Sequence, residues 1–339
     1  MNRWPSWPNQ GECWPWLSSA GTTRNTSPCS PNRVTLVSGR FADGSVVCVG
    51  VFDGVHRGHQ ALIARARGVA DREALPLIAV TFSPHPSAVL SHSSGPKSLA
   101  TIDARRRLLL SAGADEVEVL RFDEALASLS AETFVRTELL DRLAARFIVV
   151  GENFTFGAKA AGNVDVLKAL GRSFGFEVLA VPLAADAEPW SSTRIREHLI
   201  SGEMAEANRI LGRTYAVSGE VVHGDHRGRE LGIPTANLRP DGNPVIPADG
   251  VYAGWLLAGG DRLPAAISIG PNPQFAGEDH RIEAYAIDRN DLALYGSTVQ
   301  VEFAEFIRPQ AVFPDLDAFM AQIWVDVDQA RSMTAIADR

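Results

Sequence analysis

The sequence predicts an α/β unit followed by a β unit: a doubly wound parallel sheet, then a small β-barrel or sandwich with a C-terminal helix. Three observations carry that prediction. From residue 34 to about residue 200, valine-rich apolar runs alternate with amphipathic stretches, the rhythm of strand–helix–strand crossovers. After Gly212 the rhythm changes to runs of β-branched and aromatic residues, parted by Gly, Pro, Asn and Asp turns with no helices between them. The length of 339 residues divides into two domains of ordinary size.

The first 33 residues belong to neither rhythm. They hold four of the seven tryptophans (Trp4, Trp7, Trp14 and Trp16), five prolines and a Ser/Thr/Asn-rich stretch. No apolar run follows a basic start, and the prolines break any transit helix, so the segment reads as a disordered extension, with a Trp/Pro docking segment as the alternative.

The elements then follow in order. Ser45 to Phe52 is an almost unbroken apolar run, as a parallel strand covered on both faces requires. Similar runs recur at Leu77–Phe82, Glu116–Phe122, Phe147–Val150 and Glu177–Pro182. Between them, apolar residues at three- and four-residue steps predict helices over Gly58–Glu73, Asp103–Ala112, Ala131–Leu143 and Asp165–Phe174. Thr193–Ser201 and Met204–Leu211 form a helical bridge. Strands are expected at Tyr215–Val222, Val251–Leu257, Ala265–Ile269, Arg281–Ile287 and Thr298–Phe306. A helix from Leu316 to Arg331 carries Leu316, Phe319, Met320, Ile323 and Trp324 at helical spacing, a stripe expected in the core. The resulting division is 1–33 extension, 34–202 first domain, 203–212 linker helix and 213–339 second domain.

Composition narrows the function classes. A hydrophobic content of 45% with 21% charged residues gives material for a packed core, and no run is long and apolar enough to span a bilayer. A net charge of -8 argues against a nucleic-acid groove while leaving room for local sites for small anions. Small-molecule partners are expected, with room for self-association. Cys13, Cys29 and Cys48 are three, too few and too scattered for a disulfide scaffold, which fits a reducing, cytoplasmic compartment.

Four segments carry chemistry. Gly50-Val51-Phe52-Asp53-Gly54-Val55-His56-Arg57-Gly58-His59 leads from a buried strand into a helix N-terminus, which presents N–H groups and a positive dipole end to phosphate. His56 and His59 fall on one face of the first turn and can donate to one anion, and Gly58 lets a ligand approach. Zinc ligation with His85 as a third ligand is the competing reading. Thr81 to Pro86, with His85, also follows a strand and faces the same crevice by the switch-point rule. In Gly151–Gly157, Asn153 beside Phe154 and Phe156 can hold a planar ring while an amide reads its edge. Ser191-Ser192-Thr193-Arg194-Ile195-Arg196 places hydroxyls at a helix start followed by two arginines, which suits a triphosphate clamp, although an N-cap explains the hydroxyls as well.

Together these segments resemble the adenylyltransferase module of bacterial bifunctional riboflavin kinase/FAD synthetases, in the wider HxGH nucleotidyltransferase group. The resemblance runs from about residue 34 to 335. In the second half it rests on Gly224 to Gly232, like the kinase's Gly-rich flap, and on Pro234-Thr235-Ala236-Asn237, like its PTAN segment. It also rests on Pro247 to Tyr252 and on Arg281-Ile282-Glu283-Ala284-Tyr285, like the family's catalytic IE strand.

The resemblance implies two reactions. In the second half a ribityl hydroxyl attacks the γ-phosphate of ATP to give FMN, with Glu283 as base, Thr235 and Asn237 on Mg²⁺, and Gly224, Arg227, Gly228, Gly232 and Thr235 around the nucleotide. In the first half FMN phosphate attacks the α-phosphate of ATP and expels pyrophosphate to give FAD. His56, His59 and Arg196 are the catalytic residues there, and Gly50, Phe52, Asp53, Gly54, Gly58, Ser192 and Thr193 line the ATP site. Asn153, Phe154, His85 and Tyr252 are the flavin contacts. A monofunctional adenylyltransferase with a non-catalytic β-domain is the alternative. The chain departs from the family pattern at Asn153, where many members carry aspartate, at Gln274 in place of the threonine of a PTF turn, and at Pro189, a basic position in some members.

Overall fold

A computed structural model of the chain describes residues 41–182, 188–224, 232–271 and 280–337. The extension before residue 41, Gln274, and Arg227 and Gly228 of the expected flap lie outside these. Residues Ser38–Arg339 form one compact unit.

Five strands build a parallel sheet: β1 (Ser45–Val49), β2 (Leu77–Ser83), β3 (Glu116–Arg121), β4 (Ala145–Gly151) and β5 (Glu177–Val181). Their order is β3-β2-β1-β4-β5. Every residue of β1 is buried, which explains its unbroken apolar sequence. Helix α1 (Arg57–Glu73) covers one face through Leu62, Ile63, Ala66, Val69 and Ala70. The other face packs Val47, Val49, Ile148 and Val150 against Phe134, Leu139 and Leu167. The short α2 (Pro86–Leu90), α3 (Ile102–Ser111) and the short α4 (Glu124–Ala127) follow β2 and β3. The helix expected at Ala131–Leu143 forms as one α-helical turn, α5 (Ala131–Phe134), that widens into a π-helix over Val135–Asp141. Helix α6 (Val164–Phe174), capped by Asn163 at its start and left-handed Gly175 at its end, precedes β5.

Because β1 sits between β2 and β4, crossovers leave it in opposite directions. The crevice beyond its carboxyl end is the switch point of the sheet, where ligands of such folds bind. The chain segments that follow β1 and β4 both open there.

Helices α7 (Ser192–Ser201) and α8 (Met204–Leu211) lead into a closed antiparallel barrel. Its strands are β6 (Tyr215–Val222), β7 (Ala236–Pro240), β8 (Gly250–Ala258), β9 (Asp261–Pro271), β10 (His280–Ala286) and β11 (Thr298–Arg308), joined in the order β10-β7-β6-β11-β8-β9. Strand β7 was not among the expected strands. With it the second unit closes as a barrel rather than a sandwich. Ile195, Leu199, Met204, Ala207, Ile210 and Leu211 share one apolar core with barrel residues such as Tyr215, Tyr252, Ile267 and Phe303. Asn208 fastens α8 to the barrel: its amide donates to the Phe303 and Ala304 carbonyls while its oxygen accepts the Tyr215 N–H.

The terminal helix α9 runs over Leu316–Ala337, six residues past the expected end at Arg331. Its stripe corrects an expectation. Met320 and Ile323 pack on the barrel beside Val327 and Ala330, but Leu316, Phe319 and Trp324 lie at the surface. The contact stripe is therefore narrower and begins later in the helix than the apolar sequence suggests.

Candidate functional site

The turn after β1 is unusual in its backbone. Phe52, Gly54 and Val55 all have positive φ, at 51°, 77° and 41°. For a β-branched residue such as Val55 this is a true outlier, and strain of this kind costs about 1–3 kcal/mol per residue. Gly54 is also required for space, since a Cβ there would stand 2.9 Å from Leu99 Cδ1. The turn delivers the chain into the N-terminus of α1, whose N-cap is His56, with no acidic residue in the first turn.

His56 Nδ1 accepts the Gly58 N–H at 3.1 Å, so this nitrogen is unprotonated and Nε2 carries the ring's proton. The His56 and His59 rings stack with centroids 3.7 Å apart, and Phe52 meets His59 edge-on at 5.2 Å. Burial first, and then the Arg213 charge, push the His56 pKa down to about 4. His59 is driven well below its ordinary value by burial, by His56 and by Arg105. Both histidines are therefore neutral near pH 7 and act as hydrogen-bond donors. His59 Nδ1 is buried with no protein partner, a cost that structures tend to retain only at functional sites.

The positive charge comes from arginines. Arg105 on α3 is 4% exposed and donates to the Val51 and Phe82 carbonyls, to Thr81 Oγ1 and to Asp53. Arg196 on α7 donates to the Lys97 carbonyl and to Asp53. Asp53, 2% exposed, thus faces two guanidiniums and also accepts the Leu99 N–H. This corrects the expectation that Asp53 binds phosphate: it is an anion that holds the arginines in place. Loss of one partner from so buried a set is costly, because it strands a charge away from water.

A cavity of about 610 Å³ opens beside this turn. It is lined by Gly50, Phe52, His56, Gly58 and His59 from the first segment, Asn153 and Phe154 from the third, and Ser192 from the fourth. The Phe154 and Phe156 rings stack 5.3 Å apart on its wall, giving a flat apolar surface that suits a planar ring. Thr193, Arg196 and His85 are not among its lining residues. Ser192 Oγ donates to the Asp53 carbonyl, and Thr193 is exposed on α7. His85 is the N-cap of α2, accepting the Ser87 N–H, and directly precedes Pro86, which lines the cavity. His56, His59 and His85 do not gather as metal ligands: among the described residues no group of three or more His, Cys, Asp or Glu could hold a metal ion.

In the barrel, Glu283 on β10 lies directly across from Asn237 on β7 and from Ser268 on β9. Its neighbours Ile282 and Ala284 point into the barrel core, so Glu283 sits on the outer face. Asn237 likewise alternates with the buried Ala236 and Leu238, and Thr235, half-buried, precedes it by the same two-residue step. Gly224 closes over this corner, for a Cβ on it would stand 2.5 Å from Asn237 Nδ2. Gly232 takes a φ of 78° in open space. Tyr252 is a correction: expected at the flavin, it is fully buried, packs against Phe303 and Phe306, and gives its hydroxyl to the Ala248 carbonyl.

Sequence reasoning did not single out Arg105 or Arg213. Arg105 left a trace, since it stands four residues before the buried Leu109 and so places a cation on the core side of α3. Arg213 left none.

A switch-point crevice on a parallel sheet, joined in one chain to a barrel with a carboxylate beside hard oxygen donors, marks a nucleotide-dependent transferase in two halves. The comparisons agree half by half: the FAD synthetase family model matches residues 39–194 and the riboflavin kinase model residues 211–334. The Escherichia coli K12 protein named bifunctional riboflavin kinase/FMN adenylyltransferase is 36% identical over 291 residues, covering 85% of this chain and 92% of its own length. The Listeria monocytogenes protein of the same name is 34% identical, with coverage of 86% and 92%. A crystal structure from Streptococcus pneumoniae, described as a macrolide-efflux protein, is 35% identical and superposes with a TM-score of 0.77 over 85% of this chain and 94% of its own. The chain belongs to the bifunctional riboflavin kinase/FMN adenylyltransferase family. Among the described residues no helix is long and apolar enough to cross a membrane.

Proposed function

We propose that this chain phosphorylates riboflavin to FMN in its barrel half and adenylylates FMN to FAD in its sheet half, each at the expense of ATP. The observation that supports the reading most is that one chain joins a sheet with an open switch-point crevice to a barrel whose Glu283 pairs across from Asn237, in halves that match the two family models. The working division is 34–202 for adenylyl transfer, 203–212 as linker and 213–339 for phosphorylation, with α7 and α8 sharing the barrel's core.

In the sheet half, the flavin ring is assigned to the Phe154–Phe156 wall beside Asn153, and the ATP phosphates to the N-terminus of α1. An FMN phosphate oxygen attacks the α-phosphorus as the bond to pyrophosphate breaks. The nucleophile is already anionic, so alignment and charge stabilisation suffice. His56 and His59 donate one hydrogen bond each, and the arginine pair held by Asp53 supplies positive potential from behind the turn. In the barrel half, Glu283 accepts the proton of the ribityl hydroxyl as its oxygen bonds to the γ-phosphorus and the bond to the β,γ-bridging oxygen breaks, releasing ADP.

Mg²⁺ belongs to this reading. Thr235 and Asn237 offer a hydroxyl and an amide oxygen on one face opposite Glu283, hard donors that suit an ion held mostly by nucleotide phosphates. When bound it would offset phosphate charge. A cytoplasmic, reducing location is part of the same reading.

The test separates the halves. Glu283→Gln is expected to lower FMN formation from riboflavin by about 10² to 10⁴ while FAD formation from supplied FMN persists. Loss of both, or of neither, contradicts the assignment of Glu283.

A further inference from the structure

The turn over Phe52–Val55 adopts a backbone that its own residues resist, with positive φ at Phe52, Gly54 and Val55. Contacts from elsewhere must hold it. Its last two carbonyls show which ones do. The Gly54 carbonyl accepts from Arg213 Nη2 at 2.7 Å, and the Val55 carbonyl accepts from Arg213 Nη1 at 3.4 Å and from Gln60 Nε2 at 2.9 Å. Gln60 also reaches the Leu211 carbonyl at 3.0 Å, tying the start of α1 to the end of α8. Arg213 does not come from the sheet. It stands between α8 and β6, where the chain enters the barrel, 159 residues from Gly54.

Its charge is as informative as its position. Arg105 and Arg196 share the Asp53 carboxylate. Arg213 has two carbonyls as its hydrogen-bond partners and, among the described residues, no ion-pair partner. Desolvation lowers its pKa only to about 10, so it stays cationic at neutral pH, and its field depresses the neighbouring His56. A guanidinium spanning two adjacent carbonyls fixes both their spacing and their plane, which an ammonium on a flexible stem does not.

We propose that Arg213, carried by the barrel-side segment, is a positioning residue for adenylyl transfer: it clamps the Gly54 and Val55 carbonyls and so aims the His56 end of α1 at the triphosphate. The site on the sheet is then incomplete until the first residues of the barrel segment are in place, and the two halves are coupled through one side chain. This rests on the adenylyltransferase reading given above.

Full-length wild type, Arg213→Met and Arg213→Lys are compared in three assays. These are FMN to FAD with kcat and KM for ATP, riboflavin to FMN on the same samples, and NMR titration of His56. Arg213→Met is expected to lower kcat for FAD formation about tenfold to hundredfold, the scale of a misaligned reacting group, with a much smaller change in KM. FMN formation should stay within about twofold, since Arg213 touches nothing at the Glu283 corner, and the His56 pKa should rise. Arg213→Lys should keep the His56 pKa low yet restore kcat only in part. Unchanged FAD formation in Arg213→Met overturns the inference, as does a parallel loss of both activities with a lowered thermal midpoint, which marks a purely structural role. If wild type itself makes no FAD, the adenylyltransferase reading fails instead, and the inference with it.

Discussion

His56 and His59 show what burial does to a residue chosen for its chemistry. In water an imidazole is half-charged near pH 6.5, but against Arg213 and the apolar cavity wall His56 stays neutral down to about pH 4. The sign of the consequence follows from which state binds the proton. Between pH 6.5 and 4 the unfolded chain takes up a proton at this position and the folded chain does not, so stability falls as pH falls through that window. Between pH 6.5 and 4.5 the His56 share of that loss is about 2 kcal/mol, and His59, lowered in the same direction, adds to it. Urea unfolding at pH 6.5 and 4.5 should show this loss in wild type and a shallower one in His56→Gln. An equal slope in both would mean that His56 is solvated. The two histidines were legible in the sequence because they lie three residues apart at a helix start, within reach of local geometry. Arg105 and Arg213 were not, since no local pattern records that α3 and the entrance to the barrel close on the same turn.

Among the elements, the turn after β1 carries the most constraint in the fewest residues. Gly54 is the position where a side chain meets both obstacles at once, a φ of 77° and Leu99 at 2.9 Å from a would-be Cβ. Gly54→Ala is expected to destabilise the protein by about 1–3 kcal/mol in chemical unfolding and to cut FAD formation more than FMN formation. Equal loss of the two activities would place the effect in general stability alone. The buried strands were readable because parallel strands covered on both sides need continuous apolar sequence, as Ser45–Val49 has. Strand β7 escaped notice because Ala-Asn-Leu-Arg-Pro buries only Ala236 and Leu238 and owes its pairing to β6 and β10. In α9 the reverse happened. Its apolar spacing suggested one long buried stripe, but the barrel offers contact only from Met320 onward, and Leu316 and Phe319 precede that surface.

At the scale of the whole molecule, sheet and barrel are joined by more than the chain. The apolar core of the barrel extends through α8 and α7 to Leu99, whose own N–H donates to the Asp53 carboxylate, and Arg213 reaches back to the turn. The order of the halves was legible because strand–helix alternation and strand-only sequence differ over tens of residues, whereas the contacts between them depend on single side chains with no periodic signal. Two sites on one chain make a direct claim about products. Purified protein incubated with riboflavin, ATP and Mg²⁺, its flavins resolved over time, should yield FMN first and then FAD with release of pyrophosphate. Accumulation of FMN with no FAD, or no conversion of riboflavin while supplied FMN still becomes FAD, would contradict the account.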